Sequence, residues 1–123
     1  VGCRGFYVDT ATNKIALLSS SNLKQHELAK KRCAELANLE LAQELGFDYC
    51  VGLVVVSLKG QLDPLSGKKA EFQPPCGNCR LEFATNPMVK DSSFIYCANG
   101  LKKGKPKLFV KNELLDQYGV PLI

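Results

Sequence analysis

Apolar and polar positions alternate in blocks that predict five strands and three helices. Gly5-Phe6-Tyr7-Val8 reads as a strand and Lys14-Ile15-Ala16-Leu17-Leu18-Ser19 as a second, joined by the polar Thr10 to Asn13 as a hairpin. The stretch Ser20-Ser21-Asn22 reads as a loop. A long helix then runs from about His26 or Lys31 to Leu45, because Ala34, Ala37, Leu41 and Leu45 recur at three and four residues. Gly46 follows as its C-terminal cap. Tyr49 to Leu58 is almost continuously apolar and rich in valine, the pattern of a central strand covered on both faces.

Lys59 to Pro75 is polar and broken by Gly60, Pro64 and Gly67, which makes it a long loop of the kind that often lines a site. A second helix is expected from Cys76 to about Thr85, ended by Asn86-Pro87. Phe94 to Ala98 and Lys107 to Val110 read as strands, and Asn112 to Tyr118 as a short last helix. Only eight residues separate those two strands, too few for a helical crossover, so they should be antiparallel neighbours. The order predicts an α/β fold, a mixed five-stranded sheet with helices packed on it. A chain of 123 residues suits one domain spanning positions 1–123.

Composition adds bounds. The 46% hydrophobic and 23% charged content is ordinary for a water-soluble globular chain, and the longest apolar run is strand-sized, so no membrane span is expected. Net charge is +4, which suits an anionic partner or simply a solvated surface. Six cysteines could make three disulfides, but Cys50 and Cys97 sit inside apolar strand-like runs, where a free thiol acts as a small hydrophobe. With no secretory signal pattern at the start, the set reads as a cytoplasmic, reducing compartment.

The chemistry gathers at Pro75-Cys76-Gly77-Asn78-Cys79. A lone C-x-x-C fits half of a structural zinc site, a redox pair or chance. Upstream, Cys33-Ala34-Glu35 offers a third thiolate and a carboxylate two residues on. Three protein ligands with an open fourth position is the layout of a catalytic zinc, whereas a structural zinc wants four, for which Cys3, Cys50 or His26 are available.

Cys33-Ala34-Glu35 followed by Pro75-Cys76-Gly77-Asn78-Cys79-Arg80 resembles the zinc-dependent cytidine deaminase superfamily, in its three-cysteine branch. The element order extends that likeness over nearly the whole chain. The resemblance implies a cytidine deaminase-like fold, with Zn2+ held by Cys33, Cys76 and Cys79. It implies zinc-bound hydroxide attacking C4 of a cytosine ring in a cytidine or deoxycytidine-type substrate, with Glu35 as proton shuttle. The backbone N–H of Ala34 would face the pyrimidine carbonyl oxygen, and Asn22 would meet the ribose. A helix between the last two strands marks the transfer-RNA and single-stranded-DNA deaminases, so its lack aligns this chain with the free-nucleoside branch.

Three departures bear on substrate and site. Free-nucleoside relatives carry a sugar-binding Glu where this chain has Lys24, and their N-terminal helix would lie before Val1-Gly2. Together with the positive charge, these leave open a polynucleotide cytosine deaminase, toxin-like or editing, whose partner is single-stranded nucleic acid; an inactive zinc-stabilised binding module is a further alternative. Many relatives place Arg after the Cys-Ala-Glu motif, but Leu36 stands here, so Arg80 and Arg32 are the candidates to offset the negative sulfurs. The resemblance extends to tetramer-forming proteins, which makes a homo-oligomer an expected assembly.

Overall fold

The computed structural model describes residues 2–21, 33–57, 75–99 and 106–121. The elements are β1 (Gly2–Asp9), β2 (Lys14–Ser21), α1 (Ala34–Glu44), β3 (Tyr49–Ser57), α2 (Gly77–Thr85), β4 (Val89–Asn99), β5 (Lys107–Val110) and α3 (Lys111–Tyr118). The five strands form one sheet in the order β2-β1-β3-β4-β5. The valine-rich β3 is its central strand. β1 is antiparallel to both β2 and β3, β3 is parallel to β4, and β4 is antiparallel to β5. The expected antiparallel closing pair is therefore present, with Phe94 opposite Val110 and Ile95 opposite Phe109.

Alternate strand residues face one core. Cys3 and Tyr7 of β1, Leu53 and Val55 of β3, Ile95 and Cys97 of β4 and Phe109 of β5 are buried with Leu39 and Ala42 of α1, Phe83 of α2 and Leu114 of α3. All three helices thus cover the same face. On the other face, the Phe6 and Phe94 rings pair at 5.8 Å. The Phe94 ring lies where a side chain on Gly52 would have to go, since an added Cβ would meet it at 2.2 Å. Ile15, Leu17 and Leu108 stay exposed.

This connectivity brings two helix starts together. Because β1 opposes both its neighbours, β2 and β3 run the same way, and β4 runs with them. α1 leads from β2 to β3 and α2 from β3 to β4, so both are crossovers that begin where a parallel strand ends. The carboxyl ends of such strands are the usual place for a site in an α/β sheet.

Several boundaries differ from the pattern-based expectation. Ser20 and Ser21 belong to β2 and not to a loop. Cys33 has an extended backbone and caps α1, so the described helix begins at Ala34; positions 22–32, where an earlier start was expected, lie outside the described residues. The inward stripe of α1 is Ala34, Glu35, Asn38, Leu39 and Ala42, while Leu41 and Leu45 are exposed. Two polar residues sit on the buried face, which is why counting apolar positions aims the helix the wrong way. Gly46 does close it: at φ 87° its N–H reaches Gln43 O, and the Phe47 N–H reaches Ala42 O, a Schellman motif. β4 starts at Val89 rather than Phe94. A register shift against β3 absorbs its polar start, where Ser93 Oγ donates to Cys50 O at 2.5 Å and accepts from the Lys90 N–H at 2.9 Å.

Candidate metal and acid–base site

Cys33 and Cys76 are the N-cap residues of α1 and α2, and Cys79 lies in the first turn of α2. The two caps sit beside each other because both helices start from the same end of the sheet. Cys33 Sγ lies 3.3 Å from Cys76 Sγ, and Cys76 Sγ lies 3.4 Å from Cys79 Sγ. All three ligand atoms are within 4.8 Å of one another. Four-coordinate zinc with Zn–S bonds of about 2.3 Å would place its sulfurs roughly 3.8 Å apart. The trio therefore fits such an ion with shifts of no more than about an ångström. All six cysteines are free thiols, in keeping with the reading against a disulfide framework.

The donor chemistry fits as well. Cys76 is held far toward thiolate, near pKa 5, first by its sulfur–sulfur contact with Cys79. The N–H groups of Cys79 and Asn78 act in the same direction, as dipoles of the helix start that do not form a side-chain capping bond. Burial, then the Cys76 neighbour, push Cys33 up to about 11. Cys79 is pushed up strongly, first by its bond to Cys76 and then by burial. Crowded sulfurs that cannot all ionise unaided are what a dication relieves. Among the described residues no fourth ligand joins this group; Cys3 and Cys50 are buried elsewhere in the core, and His26 lies outside the described residues.

Glu35 is the second residue of α1 and only 5% exposed. Its Oε2 accepts a hydrogen bond from Cys79 Sγ at 3.1 Å. Burial raises its pKa above the ordinary carboxylate value, and that bond opposes the rise. A buried carboxyl with a raised pKa beside three thiols that could hold a metal is suited to moving protons. Ala34 is the fully buried first residue of α1, and its carbonyl accepts from Ser20 Oγ at 2.7 Å. Asn22, Lys24 and Arg32 lie outside the described residues.

No family model matches the chain, and no curated protein matches it. Among solved structures, a 1.6 Å crystal structure of cytidine deaminase from Burkholderia pseudomallei superimposes with a TM-score of 0.59, covering 92% of this chain and 77% of that one at 17% identity. The chain has a cytidine deaminase-like fold.

Within that fold, Arg80 bonds to two backbone carbonyls. Its Nε donates to Gly119 O at 2.9 Å, its Nη1 donates to Pro75 O at 2.8 Å, and its guanidinium lies 5.9 Å from the centre of the Tyr118 ring. It ties the C-terminal segment to the residue before Cys76. Leu36, which follows Cys33-Ala34-Glu35, packs half-buried against the core. Periodicity also missed Asn38, which is fully buried and bonded to Tyr7, Leu18 and Ser20. The available signal was an amide one helical turn after Glu35, on the same face.

Proposed function

We propose that this protein is a zinc-dependent hydrolytic deaminase that converts cytosine to uracil in a cytidine or deoxycytidine-type substrate. The observation that carries the reading is the meeting of Cys33, Cys76 and Cys79 at two helix starts, their ligand atoms within 4.8 Å of one another, with Glu35 Oε2 3.1 Å from Cys79 Sγ. The cytidine deaminase-like fold supports it. Bound there, zinc would supply a Lewis acid that makes water a better proton donor and nucleophile near neutral pH.

Glu35 takes a proton from the attacking water and gives it to ring N3. It then passes a proton to the departing amine, so that water and cytosine become uracil and ammonia. Its burial suits both roles, because a raised pKa lets the carboxyl hold a proton between steps. The Ala34 backbone N–H is assigned to the pyrimidine carbonyl oxygen, and Asn22 to the sugar. The antiparallel β4–β5 pair supports a small nucleoside over a polymer.

The test is to incubate the zinc-loaded protein with cytidine, deoxycytidine, single-stranded DNA and duplex DNA, and to assay uracil products and ammonia. Conversion of the nucleosides is the expected result. Conversion confined to polymers would replace the substrate assignment, and zinc binding without any conversion would leave a metal-stabilised binding module.

A further inference from the structure

A chain of buried and part-buried hydrogen bonds runs from the first strand to the turn that carries Cys33, Ala34 and Glu35. Tyr7 Oη donates to Asn38 Oδ1 at 2.5 Å. Asn38 Nδ2 donates to Leu18 O at 2.9 Å and to Ser20 Oγ at 3.0 Å, with Cys3 O more distant at 3.4 Å. Ser20 Oγ in turn donates to Ala34 O at 2.7 Å. The amide's orientation is forced, because a flip would set its oxygen against the Leu18 carbonyl. Both amide hydrogens are then spent on the two near acceptors, and the oxygen on the tyrosine.

The backbone is shaped around this chain. A Cβ on Gly5 would lie 2.1 Å from Asn38 Oδ1 and 2.4 Å from the Tyr7 ring, so the strand carries glycine where the two side chains meet. Asn38 is 0% exposed, and a buried amide costs stability unless its hydrogen bonds are all met. An alanine or leucine would pack here without that demand. The amide's bonds run from α1 to two strands, and the last link ends on the carbonyl between Cys33 and Glu35.

We propose that Asn38, acting through Ser20 and braced by Tyr7, is a positioning residue that fixes the first turn of α1 and so aims the Cys33 sulfur and the Glu35 carboxylate at the metal. This rests on the zinc reading above. Hydrogen-bonded supports of metal ligands are typically worth about 10- to 100-fold in metal affinity.

The test uses full-length protein, Zn2+ affinity by chelator competition, and the sulfur-to-metal and d–d absorption bands of the Co2+ form. Asn38→Leu and Ser20→Ala should each weaken Zn2+ binding by roughly tenfold or more and shift the Co2+ bands. Ser20→Thr, which keeps the hydroxyl, should restore both. If Asn38→Leu fails to fold, Ser20→Ala with its Ser20→Thr rescue carries the test. Leu114→Ala, which loosens the core under α3, is the control: it should lower the melting temperature and leave the bands in place. Wild-type affinity and bands in Asn38→Leu and Ser20→Ala would overturn the inference, as would an equal loss in Leu114→Ala. A wild-type protein that binds neither Co2+ nor Zn2+ would instead overturn the zinc reading on which it rests.

Discussion

Cys79 of α2 and Glu35 of α1 are 44 residues apart in sequence, yet the thiol donates directly to Glu35 Oε2 across 3.1 Å. A proposed metal ligand and the proposed proton carrier are thus in contact through a bond between two helix starts. Changing the charge on either must be felt by the other, and each has its pKa displaced in part by its neighbour.

That coupling separates metal holding from proton transfer. Glu35→Ala should keep stoichiometric zinc, because the three sulfurs remain, and should lower the deamination rate by about 10²- to 10⁴-fold. Metal analysis beside a uracil assay checks it, and an undiminished rate would remove Glu35 from the shuttle role.

Thiol reactivity gives a second expectation. In the metal-stripped protein at pH 7, Cys76 should be alkylated first, being exposed and, with a pKa near 5, largely thiolate. Its rate should fall as the pH drops through 5, since a depressed pKa leaves the thiolate dominant only above that value. Cys50 and Cys97, buried and raised to about 12, should react only on unfolding. Added Zn2+ should protect Cys76, and peptide mass spectrometry reads all three sites. Equal labelling of Cys76 with and without Zn2+ would contradict the metal assignment.

The Arg80 contacts predict a mainly structural effect. Arg80→Ala removes charged hydrogen bonds to Gly119 O and Pro75 O. Half-exposed bonds of this kind sit at the low end of their range, so the loss should be about 1.5 kcal/mol in denaturant unfolding. Amides near the chain end should exchange faster. A large fall in zinc affinity with unchanged stability would restore Arg80 as a counter-charge to the sulfurs.

Asp48 supplies a pH dependence remote from the site. It accepts from the Thr10 N–H at 2.8 Å and also from the Thr10 hydroxyl, tying the β1–β2 turn to the start of β3. The hydroxyl bond, then the N–H bond, lower its pKa below the ordinary 3.8. A depressed carboxyl contributes stability that is complete above its unfolded value and lost as the pH falls through the folded one. Wild type should therefore lose stability relative to Asp48→Asn as the pH is taken below 3.8, and parallel curves for the two proteins would contradict this.

The division between what was readable and what was not follows from the range of the forces involved. Short-range pattern was enough for the element order, for Gly46 as a helix end and for the antiparallel closing pair, because strand period, turn chemistry and connection length are local. That Cys33, Cys76 and Cys79 come together was readable too, from the resemblance their two motifs carry. Chain periodicity could not tell which face of α1 turns inward, since burying Glu35 and Asn38 is favourable only when partners from β1, β2 and α2 arrive to bond them. Nor could it tell that Arg80 reaches for carbonyls near both Cys76 and the chain end. Those outcomes depend on distant backbone groups left needing hydrogen bonds, and only the packing of helices on the sheet decides which side chains meet them.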